Sequence, residues 1–414
     1  MWNIKSHVSM RKNVVRRGDV ALMVKVLVIA PTIGSAGDAV NERQVVMTIS
    51  QYSEKVFVVT PIGIKAILKR LYETYLSNRP PNTRILLIPF TLLPFDQLWI
   101  FNSIIFTIYS LVLSVIAYLL DLKIGFDLIY VRDPRSALFI SFFKRLSRKC
   151  FTKIAALAEE EVYTGFLKGL AEMIIRSIDR HVMKRVAGIV VPSIDFAKRL
   201  VLRRQVLPRK ISVLPPGITR FIIDTVKRCC PRRKRGVKDE IIVGFLGLLA
   251  RWQGVDIFCD IVAELNRRGY KAKLKVIGDG PLRAYLMSRC NNLGVRVEIT
   301  GFLPHHKALC LARRDFDVLI LPRIRTETTS SIVPIKVIEA LALGIPVIVT
   351  DLPAYEELKG KGLYTSKRTP KEFADTILTI LSSPSRSIDY KFLRKYFYEH
   401  NVGKFLKIAL RDKA

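Results

Sequence analysis

The sequence predicts an α/β fold of two doubly wound domains whose parallel sheets face each other across a cleft. Three observations carry this. Short apolar runs alternate with amphipathic stretches from Lys25 onward, and a second such series runs from Glu240 to Asp351. The chain has 414 residues, which is long for one core and natural for two of roughly 150 to 200 residues each.

The first 22 residues are basic and lack an apolar core, so 1–22 is expected to be a tail. Residues 23–225 form the first domain, opened by the buried-strand pattern Lys25–Ala30. A loop carrying Gly34 and Gly37 follows, with a helix starting near Asp38; the dinucleotide fingerprint is absent. Either this is a flexible βα-loop, or its glycines let a sugar or phosphate approach the backbone. Further strands are expected at Lys55–Thr60, Arg84–Pro89, Leu128–Val131, Lys153–Ala158, Gly188–Pro192 and Ile211–Leu214. Arg132 lies just past the C-terminal end of its strand, the edge where open α/β sheets bind ligands, or is simply a solvated charge. Glu159, Glu160 and Glu161 could orient an acceptor or merely solvate a loop, and a helix over Phe166–Val186 sets Arg176, Arg180 and Lys184 on one face.

Leu98–Leu120 is uncharged over 23 residues, enough to cross a bilayer. It is also bracketed by strands of one sheet, so a crossing would split the domain. Ser103, Thr107, Ser110 and Ser114 form a narrow stripe suited to close packing, with Ile104, Ile105, Ile108, Val112, Val115 and Leu119 over much of the remaining surface. A buried helix, a monotopic helix and a span remain open readings.

The basic segment 226–239 marks the domain boundary, as a solvated linker or a contact for anionic headgroups. Residues 240–385 form the second domain, with strands at Glu240–Leu246, Ala272–Ile277, Val295–Ile299, Asp317–Leu321 and Val347–Val349. Ser330–Asp351 reads as a polar loop, Pro334 at the first helical position, a helix bearing Lys336 and Glu339, a stop at Gly344 and a buried strand. A helix start with a cation and a carboxylate suits a phosphate-bearing, hydroxylated ligand. A C-terminal helix in 386–414, from about Asp389 to Leu410, is expected to pack back on the first domain.

Sixty-eight basic against 35 acidic residues give +33, and mean hydropathy is +0.24. Together these favour an anionic membrane surface over nucleic acid, for which no aromatic platform or recognition motif is present. The six cysteines include no CxxC and no zinc spacing, and His305-His306 reads as a polar loop; with no secretory signal visible, a reducing compartment is the default expectation.

In order, the glycine loop, PPGIT, FLGLLARWQGVD, IGDGPLR, GFLP, P-x-K-x-x-E and A-x-G-x-PV resemble the family 4 (group 1) glycosyltransferases. The likeness runs from about Lys25 to the C-terminus, and its P-x-K-x-x-E resembles the lipid-linked-sugar branches. It implies a GT-B fold and retaining transfer from a UDP- or GDP-sugar to a membrane-associated, polyprenyl-linked or glycolipid acceptor. A cytoplasmic enzyme, peripheral or monotopic at the inner face of the membrane, follows from that reading. The alternatives are a soluble transferase with a polysaccharide or small-molecule acceptor, and a diverged nucleotide-sugar-binding protein without activity. No cofactor or metal is expected, the nucleotide-sugar being a substrate.

The resemblance implies that Gly34 and Gly37 lie under the donor phosphates or reacting sugar; Arg132, from its place past a strand end, and Lys336, from its place at a helix start, are expected at the reacting centre. Gly247, Arg251, Gly280, Ser331, Pro334 and Lys336 would hold the donor, and Glu339 would accept hydrogen bonds from the ribose hydroxyls. Three positions depart from the family pattern. Leu248 and Gln253 stand where cations are usual, and Ser331 replaces the first of two glutamates, the one that faces the transferred sugar.

Overall fold

The computed structural model describes residues 22–30, 37–62, 80–89, 99–155, 157, 168–232, 240–382 and 391–411. Gly34 and Glu159–Glu161 lie outside them. Two all-parallel sheets dominate, of seven and six strands.

The first contains β1 (Leu22–Ile29), β2 (Ser53–Ile62), β3 (Thr83–Pro89), β4 (Leu128–Val131), β5 (Cys150–Lys153), β6 (Gly188–Val191) and β7 (Ile211–Val213). Their order is β3-β2-β1-β4-β5-β6-β7. From β1 the chain moves outward twice, then returns to set β4 on the other side of β1, with Val28 opposite Tyr130. The switch point of this sheet is therefore β1/β4. β5 lies at Cys150–Lys153 rather than Lys153–Ala158, because the wholly buried run is CFTK, in register with Ile129–Val131.

The sheet buries both faces. On one side α2 (Trp99–Ile124), α3 (Lys168–Arg185) and α4 (Ile194–Arg204) enclose Leu27, Ile29, Leu113, Ile129, Val182 and Phe196. On the other, α1 (Gly37–Tyr52) and the last helix of the chain enclose Val26, Val28, Val45, Ile49, Tyr130 and Phe405.

The second sheet has β8 (Ile241–Leu246), β9 (Ala272–Ile277), β10 (Val297–Ile299), β11 (Val318–Leu321), β12 (Val347–Thr350) and β13 (Leu363–Ser366). Its order is β10-β9-β8-β11-β12-β13, which puts its switch point at β8/β11. β13 escaped the sequence reading because LYTS has two half-buried residues and no apolar run. Before this sheet, α5 (Arg220–Cys229) packs Ile223 and Val226 into the second domain's core, so the first four residues of the 226–239 segment are helical. Four further helices complete the layers: α6 (Phe258–Arg267), α7 (Arg283–Asn292), α8 (His305–Asp315) and α10 (Ile335–Ala342), with the short α9 (Glu327–Ser331) just before α10. α9 stands where a polar loop was expected. Its start is fixed by Thr326, whose hydroxyl accepts from Thr329 N–H in a reciprocal cap.

After α11 (Pro370–Ser382) the chain crosses back. Ile218 N–H donates to Tyr396 O and Tyr398 N–H to Ile218 O, both at 2.9 Å, so the two crossings are bonded together. The last helix, α12 (Tyr398–Ala409), lies on α1 and begins at Tyr398 rather than Asp389.

Four cysteines are paired, where a reducing compartment was the default expectation. Cys259–Cys290 joins α6 to α7, and Cys230–Cys310 joins the end of α5 to α8. Their Cα–Cα distances of 5.1 and 5.4 Å arise only in the fold, because the partners are 31 and 80 residues apart. Cys150 and Cys229 stay free.

Candidate functional site

Ligands of open parallel sheets bind beyond the strand C-termini at a switch point. In the second domain that point brings together the loop after β8, the loop after β11 and the start of α10. Gly247 ends β8 at φ +124°, and a Cβ there would sit 2.5 Å from the Lys336 ammonium. The lysine therefore occupies the space that a side chain at 247 would need. Gly280 meets a different demand. A Cβ there would fall 2.5 Å from Leu249 O, where the GDG turn closes on the β8 loop through Leu249 N–H to Asp279 O. Backbone packing alone requires that glycine.

α10 begins one residue later than expected: Pro334 is its extended cap, φ −72° and ψ 146°, with Ile335 the first helical residue. Lys336 places its ammonium 4.5 Å from the centre of the Phe245 ring, on the floor of the crevice. Burial is the main force that lowers its pKa to about 7, with Arg323 adding to the fall and Glu339 opposing it. Glu339 is 3% exposed, and its Oε1 lies 2.6 Å from His305 Nε2. His305 is thus the first residue of α8 and a partner of the candidate ribose carboxylate, not part of a polar loop. Sequence distance hid this pairing, since 34 residues separate the two.

Arg251 opens a 3-10 turn and is exposed. Gln253, in the same turn, is buried. Ser331 ends α9; its hydroxyl donates to Glu327 O at 2.8 Å and accepts from Arg199 of the first domain at 2.7 Å. Arg199 and Arg203 both reach Glu327, so α4 and α9 are clasped across the cleft. The Arg203 hydrogen bonds, more than the opposing burial, hold the Glu327 carboxyl below its usual range. The clasp therefore operates above the ordinary glutamate range and is lost as pH falls through that lowered value. Glu327 is half-exposed, so screening limits the clasp to about 1 kcal/mol at most. Glu327→Gln is expected to shift the open–closed balance of the domains towards open by no more than about fivefold. An interdomain fluorescence-transfer pair would read this, and a collapse of the closed state would assign the clasp a far larger role.

In the first domain, Gly37 opens α1 and Arg132 follows β4 at the switch point. The Arg132 Nε lies 3.2 Å from Oε1 of the buried Glu42, which also takes the Lys153 ammonium and, through Oε2, the Tyr130 hydroxyl. Arg132 is thus held in a cation-rich cluster at the sheet edge. Among the described residues no three His, Cys, Asp or Glu side chains converge as a metal site.

Along α2, Ser110 and Ser114 are fully buried beside Tyr109, Leu113 and Ala117. Asp121 anchors the helix end. Burial raises its pKa, but hydrogen bonds from Lys149, Arg145 and Phe126 N–H outweigh that and hold it below its usual range. The opposite face is bare: Ile108, Leu111, Val112, Val115, Leu119 and Leu122 are each more than 40% exposed. By length and composition Ile105–Ile124 could cross a membrane, yet a third of it is buried in the domain.

Residues 240–383 match the family model described as Glycosyl transferases group 1. That match covers the second domain only. Alpha-D-kanosaminyltransferase of Streptomyces kanamyceticus is 25% identical over 231 residues, covering 53% of this chain and 58% of that protein. A GDP-mannose-dependent alpha-(1-6)-phosphatidylinositol dimannoside mannosyltransferase of Mycobacterium tuberculosis is 28% identical over 176 residues, 42% of this chain and 44% of that protein. The chain thus spans about half the length of these relatives. Anabaena Alr3699/HepE, solved with UDP and glucose, superposes with a TM-score of 0.58 at 13% identity, over 94% of this chain and 98% of that one. The chain has the GT-B fold, two doubly wound domains built on parallel sheets of seven and six strands.

Proposed function

We propose that this protein is a retaining glycosyltransferase that takes a UDP- or GDP-linked sugar and passes it to a membrane-associated, polyprenyl-linked or glycolipid acceptor. In this reading Glu339 accepts hydrogen bonds from the donor ribose, while Lys336 and the N–H groups opening α10 face the diphosphate. The bond from the anomeric carbon to the phosphate oxygen breaks, the acceptor oxygen takes its place on the same face, and the acceptor proton leaves on the departing nucleoside diphosphate. Those N–H groups and cations meet the charge that develops there, so the reading uses no resident metal. The UDP and glucose of the Anabaena structure support the donor class.

One observation carries the acceptor class: the bare apolar face of α2 lies on the first domain with cations around it. Lys123, Lys144, Arg145 and Arg148 are exposed near its C-terminal end, and α3 exposes Arg176, Arg180 and Lys184 together with Leu170, Met173 and Ile174. Apolar surface ringed by cations fits an anionic bilayer, with the helix lying in the interface rather than crossing it. A soluble transferase would be expected to cover this helix. The relative's name, a phosphatidylinositol dimannoside mannosyltransferase, points the same way, and the inner face of the cell membrane is the location proposed.

The test is flotation with phosphatidylglycerol vesicles. Val112→Asp with Val115→Asp and Leu119→Asp removes roughly 1 kcal/mol of partitioning per side chain, so binding should fall by about 100-fold. Unchanged flotation would return the reading to a soluble acceptor.

A further inference from the structure

We infer that Arg323 is a donor-binding residue, pairing with Lys336 at the β8/β11 switch point to receive the diphosphate in place of the cations absent at 248 and 253. This rests on the donor reading above and adds a residue and a proton to it.

Arg323 stands two residues past the C-terminal end of β11, with its side chain 9% exposed. Its Nη1 lies 3.4 Å from Ile332 O, two residues before the Pro334 cap, and its Nε is buried without a hydrogen-bond partner. A buried guanidinium with an unsatisfied donor is costly unless something accepts from it. The loop carrying Gln253 packs directly on this segment. Ile324 N–H donates to Trp252 O at 3.1 Å, and Gly254 lies so close to Pro322 O that a Cβ could not fit. Arg323 therefore emerges beside the position where a cation is missing, while Arg251 in that turn is exposed.

Lys336 is faced by Arg323 from the β11 loop, by Glu339 on its own helix and, beyond Glu339, by His305 of α8. Tyr355, from the turn after β12, faces Arg323. β8 offers only the Phe245 ring and Gly247. The carboxylate beside Lys336, that of Glu339, is already engaged by His305, and Arg323 has only the neutral Tyr355 hydroxyl and Ile332 O as partners among the described residues. This pair of cations lacks an anion, and the diphosphate of a nucleotide-sugar supplies one in the bidentate form a guanidinium recognises. Without it, burial and the Arg323 charge lower the Lys336 pKa to about 7. A bound diphosphate restores the proton, so donor binding takes up a proton above that pH.

The sign follows. Lys336 is charged in free and bound protein below about pH 7, and affinity is then greatest. Above it the free protein must first gain a proton, and affinity falls. UDP-glucose and GDP-mannose, whose diphosphates do not titrate between pH 6.5 and 8.5, are the probes, read by calorimetry. Wild-type affinity should weaken on the order of tenfold across that range. Arg323→Gln should weaken both sugars by about 30-fold at pH 6.5, leave uridine and guanosine binding unchanged, and move the pH midpoint upward because the like charge is gone. Arg323→Lys should restore part of the loss. Equal weakening of nucleoside and nucleotide-sugar, or an unmoved midpoint, assigns Arg323 a structural role and overturns the inference; so does wild-type affinity in Arg323→Gln. If Glu339→Gln binds normally while Arg323→Gln does not, the ribose assignment falls and the cation pair stands. Absence of binding by wild type to either sugar or to pyrophosphate removes both.

Discussion

Replacing Glu339 by Gln is expected to weaken UDP-glucose or GDP-mannose binding by about 100-fold while leaving the free protein folded. The carboxylate is buried on α10, and its Oε1 is held by His305. That contact fixes the side chain and directs its remaining acceptor capacity to the ligand. A hydrogen bond to a charged group is worth about 1.5–3 kcal/mol, and a ribose offers two hydroxyls. Gln keeps the shape and one carbonyl oxygen but loses the charge, so it separates binding from packing. Glu339→Ala does not, because it also leaves the half-buried His305 without its partner, at about 1 kcal/mol of stability. Thermal shift gives the clearest contrast. Donor at 100 times Kd stabilises wild type by about 2.7 kcal/mol, whereas a 100-fold weaker variant gains only about 0.4. Full stabilisation of Glu339→Gln would remove the ribose from this residue.

Lys336 and Glu339 could be read from the sequence because everything that places them is local. A proline before an apolar helix, a glycine after it and a buried strand beyond locate one helix start at a sheet edge. Arg323 was legible by the rule that singled out Arg132, a cation just past the C-terminal end of a parallel strand. It went unread because the strand order, which makes β8/β11 a switch point, comes only from the fold. His305 gave no signal at all: its partner is set by the packing of α8 on α10. Of the packing stripe legible on α2, Ser110 and Ser114 are buried and Thr107 is half-buried, while the Ser103 side chain lies outside the described residues. Which of its apolar residues stay bare depends on what the domain lays over them.

The cysteine pairs mark the other limit of sequence reading, and they predict a large effect on stability. Both disulfides lie in the second domain and tie outer helices to one another: α6 to α7, and the end of α5 to α8. Cross-linking across 80 residues removes about 4.5 kcal/mol of loop-closure freedom from the unfolded chain, and across 31 residues about 3.7. Each is comparable to much of a domain's net stability of roughly 5–15 kcal/mol. Three of the four sulfur-bearing residues are buried, so a reductant in the surroundings reaches them only when the domain opens. Cys259→Ser with Cys290→Ser is therefore expected to lower the melting temperature of the second domain by about 7–15 °C, at about 2–4 °C per kcal/mol. The same protein with intact cysteines should resist mild reductant until partly unfolded. Calorimetry with and without reductant separates the two cases, and an unchanged melting temperature in the double-serine variant would show that these helices hold without the link. A fall confined to the domain that carries Glu339 and Lys336 would also cost donor binding on heating, because the β8 and β11 loops rest on the core that α6 and α8 cover.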